Sequence, residues 1–546
     1  MASSGITETN QPSFEPSQWG DFFIEYEPKP LQRSEEWMVT RAHKLKEDVR
    51  MMFNNRSSSS SSSSSSRILL VDTLQHLGID HLFQKQIQDT LKDISENELA
   101  TSATLYEEAL RFRLLREHGH WVSADVFNKF KGQDGTFNND ITSQPSGLLS
   151  LYNAAHLLIH GEPKLEEDIT FARHHLELLS CSLKSPLAKQ VKRALHRPLP
   201  RSCKRVETLH FISEYEEEQG HNPILLELAK LDFNLLQHVH LKELKAITEW
   251  WKYLYGHIEL SYIRDRVVES YTWAYVIYYE RSFELPRIII AKMMLLITIL
   301  DDTFDTHATI EECRNLHEAV QRWDESAVTL LPEYLKKFYI ELLRSFKNIE
   351  DEMPIDINYD IAHLRKAIQN NVTGYLQEAE WSHKNYKPSF IAQVNLTSLT
   401  VGAPTVCVSM MAGMDDTIMK QALKWTADVP DVVVSAGKIV RFMNDIAAFE
   451  RGKCNRDVAS SVECYMNEYC VTSDVGIARI YALIEDEWRS LNQARFDNHA
   501  LLPAVQRIIG LALSASLIYD NRKDVYTASK NFQKTIEGLF VKPKPI

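Results

Sequence analysis

The stretch KMMLLITILDDTFD, residues Lys292–Asp305, joins an apolar run to three aspartates. The apolar run is typical of a buried helix, and Asp301, Asp302 and Asp305 close it. Residues four apart on an α-helix lie about 40° apart around its axis, so Asp301 and Asp305 share one face. Two carboxylates placed there repel each other unless a cation lies between them.

A solvated helix end is the alternative interpretation of these aspartates. However, the helix dipole opposes acidic residues at a C-terminal end, and the preceding turns are expected to be buried. Carboxylates that cluster at the expense of stability more often mark a functional site than a solvated helix end. Their oxygens suit magnesium, which keeps several waters and bridges protein carboxylates to substrate phosphates. We therefore predict that Asp301 and Asp305 bind magnesium.

The rest of the chain predicts an all-α protein with two helical domains. Its 546 residues exceed what one core usually serves, and 18 Gly and 19 Pro are too few for a turn-rich sheet protein. We expect a disordered N-terminus over residues 1–20, an N-terminal helical domain over 21–225 and a catalytic domain over 226–546. Ten consecutive serines, Ser57–Ser66, are predicted to form a disordered loop.

Bulk composition excludes several classes of partner. A formal net charge of -13 argues against nucleic-acid binding, which requires clustered basic residues. Seven cysteines without a close metal-binding pair fit reduced thiols in a cytosolic protein and make zinc unexpected. The apolar stretch Ile288–Leu300 contains Lys292 and is too short to cross a membrane, and the N-terminus has no targeting pattern.

A second group of candidate residues precedes the aspartates. Arg264 and Arg266 flank an aspartate in YIRDRVVESYTW, and Trp273 follows about two turns later. Guanidinium groups pair with diphosphate oxygens, and an indole face stabilises a nearby cation. Taken singly, such a triplet is usually a surface ion-pair cluster, and a lone Trp is usually in the core.

Two further groups follow the aspartates. In KIVRFMNDIAAFE, Asn444 could bind a second metal with Asp445 in support, and Arg441 could hold a phosphate; an ordinary polar helix face is the alternative. In LIYDNRKDVYT, Tyr519, Asp524 and Tyr526 could line a pocket for a cation. A Gly-rich phosphate loop, a nucleophile elbow and an HExxH metal motif are all missing from the sequence.

Several motifs together resemble those of the plant terpene synthase family, in particular the cytosolic sesquiterpene synthases. They are RDR at Arg264–Arg266, DDTFD at Asp301–Asp305, GLLSLYNAAHL at Gly147–Leu157, and the set Tyr519, Asp524 and Tyr526. The similarity covers nearly the whole chain. The phrases RWDESAVTLLPEYLKKFY and NQARFDNHALLPAVQR resemble grass members most.

The resemblance implies a vestigial N-terminal α-barrel followed by a class I helical bundle. It implies magnesium, or manganese, as three ions, a prenyl diphosphate substrate and a monomer. A tandem-arginine motif ahead of Trp19, typical of plastidial monoterpene enzymes, is missing, which supports a cytoplasmic enzyme that uses farnesyl diphosphate. The implied roles are metal binding by Asp301, Asp305 and Asn444 with support from Asp302 and Asp445, diphosphate binding by these ligands with Arg264, Arg266 and Arg441, and a carbocation pocket of Trp273, Tyr519, Asp524 and Tyr526.

One motif departs from the family pattern. The second metal motif normally continues with a small hydroxyl residue or Gly four positions after its first ligand and with Glu eight positions after it. Here Asn444 is followed by Ala448 and Gly452, neither of which has a side-chain oxygen. Glu450 lies roughly 240° around a regular helix from Asn444 and cannot replace the missing carboxylate.

The predicted function is magnesium-dependent ionisation of farnesyl diphosphate and cyclisation or rearrangement of the carbocation to a sesquiterpene, with release of diphosphate. Alternatives are a monoterpene synthase acting on geranyl diphosphate and a catalytically impaired helical protein with this fold. A chain-elongating prenyltransferase would be expected to carry a second aspartate-rich motif where this chain has NDIAA.

Overall fold

A computed structural model describes residues 15–28, 33–54, 62–96, 104–353, 361–412, 417–452 and 459–546. These ranges contain helices and no β-strand, with a single antiparallel bridge between Lys131 and Phe137. The predicted all-α class is confirmed.

The helices fall into two consecutive groups along the chain. The first group is α1 (Phe22–Glu25), α2 (Glu35–Asn54), α3 (Ser62–His76), α4 (Gln84–Glu96), α5 (Leu105–Glu117), α6 (Pro145–Ala155), α7 (Pro163–Leu179), α8 (Leu187–His196) and α9 (Lys204–Glu217). The second group begins with α10 (Pro223–Ile258), α11 (Val267–Ile277), α12 (Glu284–Asp302), α13 (Ile310–Arg322), α14 (Glu333–Glu352), α15 (Ile361–His383) and α16 (Phe390–Thr400). It ends with α17 (Ala403–Met410), α18 (Thr417–Ala427), α19 (Asp431–Arg451), α20 (Ser461–Tyr469), α21 (Ser473–Asp497), α22 (Leu502–Ile518) and α23 (Gln533–Ile536).

Two hydrophobic cores divide the chain. Helices α2 to α9 surround the first core, in which α5, α6 and α7 pack in sequence. The second core forms around α12, which packs against α11 and α17, while α19 packs against α21 and α22. Each core buries a set of apolar side chains large enough to support a domain, as the length of the chain predicts.

Helix α10 belongs to both cores. Asn222 caps its first turn by accepting hydrogen bonds from two backbone amides. Pro223 occupies the first helical position, where a backbone amide would have no partner within the helix and proline is therefore tolerated. Leu225 and Phe233 pack in the first core, whereas Leu236 and Leu244 pack in the second. The predicted boundary at residue 225 therefore falls at the start of this helix, and the change of core lies about ten residues later, inside it.

The N-terminal segment packs on the second core. Trp19 and Phe23 are buried among its residues, and the side-chain amide of Gln18 donates to the backbone carbonyl of Ser529 at 2.9 Å. The prediction of disorder over residues 1–20 is therefore wrong at Trp19. Burial of the large indole contributes enough free energy to hold this segment in an ordered conformation. The preceding residues 1–14 lie outside the described residues.

The serine run is partly helical. Helix α3 begins at Ser62, so the predicted loop over Ser57–Ser66 is wrong for its last five residues. Serine is favourable at the first turn of a helix, where hydroxyl groups compete well for free backbone amides, and the apolar residues that follow hold α3 on the core. The remaining serines lie outside the described residues.

Two apolar stretches, Phe390–Met410 and His499–Arg522, are long and apolar enough to span a membrane by length and composition alone. Their most apolar windows are 61% and 67% buried within the fold. This is the burial expected of helices in a protein core.

The close approach of α19 to α16 requires a glycine. A Cβ added at Gly437 would lie 2.2 Å from the carbonyl oxygen of Ser398, which is backbone and cannot rotate away. Gly437 precedes Arg441 by one helical turn, and Arg441 Nε donates to the carbonyl of Thr397 at 3.1 Å. The contact at Gly437 thus sets the depth at which α19 presents its polar residues.

We expect Gly437→Ala to lower the free energy of unfolding by roughly 1–3 kcal/mol, because the helices must separate to admit the methyl group. Gly256→Ala in α10 is the matched control: nothing lies within 4 Å of its added Cβ, so better helix propensity should stabilise by about 0.5–1 kcal/mol. Thermal unfolding followed by circular dichroism compares the two. Equal melting temperatures would contradict the close approach.

Candidate active site

The predicted carboxylates lie where α12 changes its helical geometry. The α-helix ends at Asp302, and Thr303–His307 continue as a single π-helical turn. The prediction of a regular α-helix through Asp305 is therefore wrong. A π-turn holds somewhat more than four residues, so Asp301 and Asp305 still lie near one face, and such turns occur often at functional sites. Both aspartates are partly exposed, whereas Asp302 is buried.

Arg264 lies against the two adjacent aspartates. Its Nη2 is 2.7 Å from both Asp301 Oδ2 and Asp302 Oδ1, and its backbone amide donates to Asp302 Oδ2 at 2.8 Å. Burial raises the pKa of Asp302 to about 6, although Arg264 opposes that rise. Burial also disfavours the charge on Arg264, but the two carboxylates outweigh it and hold its pKa well above the usual value.

The polar residues of α19 form a second group. Arg441 Nη1 donates to Asn444 Oδ1 at 3.2 Å and lies 3.6 Å from Asp445 Oδ1. Asn444 Nδ2 donates to the Tyr519 hydroxyl at 3.2 Å. The buried Asp445 accepts the backbone amide of Ser461 at 2.7 Å, so its carboxylate caps the start of α20. Both ends of the Asn444 amide are therefore engaged, its oxygen by Arg441 and its nitrogen by Tyr519.

Sequence reasoning missed Glu378 in α15. Its side chain is buried, and one carboxylate oxygen has no hydrogen-bond partner among the described residues. Burial raises its pKa to about 7 against the attraction of Arg441, and Asp301 and Asp445 add to the rise. The sequence does carry a signal, because Glu378 continues the apolar stripe Leu364, Ile368, Val372 and Tyr375 at helical spacing. A carboxylate on such a stripe costs stability unless it has a role.

Aromatic side chains adjoin these groups. The rings of Trp273 and Tyr519 meet edge to face with centroids 6.2 Å apart. The Tyr526 hydroxyl is 2.7 Å from Thr298 Oγ1 and 3.0 Å from Ser270 Oγ, which joins α12 to α11. The guanidinium of Arg264 lies 5.8 Å from the Tyr526 ring centroid. The predicted aromatic lining is thus adjacent to the predicted phosphate-binding arginine.

Two predicted residues have structural contacts of their own. Asp524 pairs with Arg451 at 2.5 Å and accepts the backbone amide of Thr527 at 2.9 Å, so it orders the segment that carries Tyr526. Arg266 is buried and donates to the backbone carbonyls of Asp265 at 2.6 Å and of Glu15 and Thr527 at 2.8 Å. The structure does not bring Arg266 together with the aspartates, because its guanidinium is hydrogen-bonded to these carbonyls instead.

The donor set fits a metal ion completed by water and substrate. In the part of the chain that the structure describes, no three His, Cys, Asp or Glu side chains gather closely enough to hold an ion by themselves. Asp301 and Asp305 are nevertheless partly exposed, and Glu378 has an oxygen without a partner. Magnesium suits this arrangement, since it binds one or two carboxylates and keeps several waters for exchange with phosphate oxygens.

The second metal motif offers fewer possible metal ligands than the aspartates of α12. Gly452 ends α19 with φ 84°, and Glu450 pairs with Arg522 at 3.0 Å instead of turning toward Asn444. Ala448 is half-buried and has no oxygen to offer. Asn444 is thus the single oxygen-bearing side chain at the three positions of this motif.

A separate cavity of about 540 Å³ lies at the opposite end of α12. Trp250, Ile288 and Lys292 line it, and Lys292 pairs there with Glu352 at 3.2 Å. It shares no residue with the group around Asp301, so it is not part of the candidate active site.

Comparisons with known proteins identify the family of the chain. A model described as the metal binding domain of the terpene synthase family matches residues 252–490, and one described as the terpene synthase N-terminal domain matches residues 18–195. The chain is 48% identical to tau-cadinol synthase of Zea mays, covering all of both chains, and 46% identical to alpha-copaene synthase of Zea mays, covering 97% of this chain and 99% of that one. Isoprene synthase from grey poplar, solved with three Mg2+ ions and dimethylallyl-S-thiolodiphosphate, aligns with a TM-score of 0.85 at 29% identity, covering 93% and 98% of the two chains.

The fold and the matched domains define an all-helical, metal-dependent lyase that acts on prenyl diphosphates. The chain belongs to the terpene synthase family. The resemblance to grass members is also confirmed, since both of these relatives are from maize.

The different burial of the two adjacent aspartates leads to a stability prediction. Asp302→Ala should lower the free energy of unfolding by about 3 kcal/mol, because it removes a buried carboxylate that makes two contacts with Arg264. Asp301→Ala should cost less than about 1 kcal/mol, since its side chain is 31% exposed. Urea unfolding measures both values. A larger loss in Asp301→Ala would show that the roles of the two residues are reversed.

Proposed function

We propose that this chain is a magnesium-dependent sesquiterpene synthase that ionises farnesyl diphosphate and converts the resulting carbocation to a sesquiterpene, with release of diphosphate. The observation that carries the proposal is the placement of Asp301 and Glu378 beside two half-buried arginines, Arg264 and Arg441, next to an aromatic group. The two maize relatives are named for tau-cadinol and alpha-copaene, which are both sesquiterpenoids.

The proposed reaction begins with cleavage of the bond between the prenyl carbon and diphosphate. Asp301 and Asp305 would hold magnesium, Asn444 would hold a further ion, and Asp302 fixes Arg264 in place. Bound magnesium supplies the positive charge that favours departure of the diphosphate. The electron pair of the broken bond leaves with the diphosphate, and Arg264 and Arg441 offset the charge that develops on it.

The carbocation then requires a dry and electron-rich pocket. The ring faces of Trp273, Tyr519 and Tyr526 would stabilise its positive charge without offering a strong nucleophile. Loss of a proton from the carbocation yields a hydrocarbon, whereas addition of water yields an alcohol. Exclusion of water from this pocket therefore decides between the two kinds of product.

The metal count and the location belong to the same proposal. Three magnesium ions are supported by the three Mg2+ ions in the isoprene synthase complex. No disulfide joins the six cysteines among the described residues, which supports a cytoplasmic enzyme.

Incubation of the protein with farnesyl diphosphate and magnesium, followed by gas chromatography of the volatile products, tests the proposal. A sesquiterpene hydrocarbon or alcohol is expected. A parallel incubation with geranyl diphosphate tests the alternative monoterpene activity. Formation of no product from either substrate would favour the catalytically impaired alternative.

We expect Asp301→Ala to reduce turnover at least about a hundred-fold, because it removes a charge that holds the metal at the leaving group. The helical circular-dichroism signal should remain. Asp351→Ala is the matched control, since Asp351 is an exposed carboxylate on α14 that pairs with Lys347. Near-normal product yield from folded Asp301→Ala protein would defeat the metal assignment.

The incomplete second motif predicts an unusually high magnesium requirement. Ala448→Thr would place a hydroxyl one helical turn from Asn444, and half-saturating magnesium should fall by roughly tenfold. Ala448→Val has the same shape without the oxygen and should leave it unchanged. A glutamate at position 452 is less suitable as a test, because φ 84° at Gly452 strains any residue with a Cβ.

Turnover measured against magnesium concentration at fixed farnesyl diphosphate distinguishes the two variants. An equal response of Ala448→Thr and Ala448→Val would show that this helix face does not contact the metal.

A further inference from the structure

The segment Tyr519–Tyr526, here called the tyrosine loop, carries an aromatic residue of the pocket at each end. Between them, Asn521 and Arg522 both have left-handed backbone conformations, with φ 53° and 59°. Residues with a Cβ rarely adopt this conformation, and two in succession persist only where surrounding contacts impose it. The contacts that hold the loop are therefore informative.

The α19 side of the molecule supplies two of these contacts. Arg522 Nη1 pairs with Glu450 at 3.0 Å, and Arg451 pairs with Asp524 at 2.5 Å. Both partners lie in the last turn of α19, at the positions around the missing metal ligands. This helix end is thus ion-paired to the tyrosine loop.

The N-terminal domain supplies a further contact. His196 Nε2 lies 2.8 Å from Asp520 Oδ1, and Arg197 Nη2 pairs with the same oxygen. His196 ends α8, and more than 320 residues of sequence separate this pair from Asp520. Asp520 directly follows Tyr519, whose hydroxyl accepts from Asn444. A contact from one domain therefore acts one residue away from the pocket of the other.

We propose that Arg197, assisted by His196, is a positioning residue of the reaction: by holding Asp520 it keeps the tyrosine loop closed and water away from the carbocation. The N-terminal domain then contributes to product choice although it supplies no catalytic residue. This inference rests on the proposed sesquiterpene synthase function, and it concerns the step in which a water oxygen would bond to the cationic carbon and release a proton.

Arg197→Ala tests the role, and Arg201→Ala is its matched control. Arg201 lies at the same domain interface and forms a bidentate pair with Glu485 at 2.5 and 2.7 Å, but among the described residues it makes no hydrogen bond or ion pair with the tyrosine loop. Arg197→Ala should raise the ratio of alcohol to hydrocarbon several-fold and lower kcat by roughly tenfold, with KM little changed. Arg201→Ala should lower the melting temperature at least as much and leave the product ratio unchanged.

Two further variants separate positioning from general loss of structure. Arg197→Lys keeps the charge and should restore most of the wild-type product ratio. Asp520→Ala should reproduce the effect of Arg197→Ala, and the double variant should add little to either one, because both remove the same contact. An unchanged product ratio in folded Arg197→Ala protein, or an equal change in Arg201→Ala, would overturn the proposal.

Hydrogen exchange measured by mass spectrometry on a peptide that covers the tyrosine loop gives a readout that does not need activity. Exchange should be faster in Arg197→Ala than in the wild type and in Arg201→Ala. If the wild-type protein makes no terpene, the proposed function fails while this comparison still decides whether Arg197 holds the loop. Equal loop exchange in all three proteins would show that it does not.

Discussion

The ion pairs between Arg264 and the carboxylates at the end of α12 are the interaction on which the candidate site depends. A buried aspartate beside an apolar helix is unfavourable unless it is paired, and Arg264 pairs with Asp302 and Asp301 through one nitrogen while its backbone amide contacts Asp302 again. This pairing fixes the segment before α11 against α12. The partly exposed Asp301 is thereby held at the end of α12 beside Arg264, which also lies next to the ring of Tyr526.

The sequence was informative where a strong local pattern met a chemical requirement. The apolar run before Asp301 predicted a buried helix, and the aspartates predicted a site at its end; the comparisons confirm the family that both imply. The metal-binding roles themselves stay predictions. The π-turn at Thr303–His307 was not predictable, because it depends on how the end of α12 packs against its neighbours. Glu378 could have been predicted from the sequence, because its carboxylate interrupts an otherwise apolar helical stripe.

Long-range contacts explain most of the errors. Arg266 resembles Arg264 in local sequence, yet its guanidinium donates to carbonyls from residues about 250 positions away along the chain on each side. Trp19 was predicted to be disordered because its polar neighbours gave no sign of the distant core that covers it. No pattern within a short window can predict such contacts, since they are set by which surfaces the completed fold brings together. The same limit applies to the ion pairs that Glu450 and Arg451 form in place of a second metal motif.

Helix α10 runs unbroken through the change from one core to the other. Its 36 residues extend for about 54 Å, and consecutive turns are buried in different cores. Separation of the domains would therefore expose a row of leucine and phenylalanine side chains on whichever half kept the helix. The two halves of the molecule are coupled mechanically, so they are expected to melt as one cooperative unit and to be poorly exchangeable as modules between relatives unless the helix is exchanged with them.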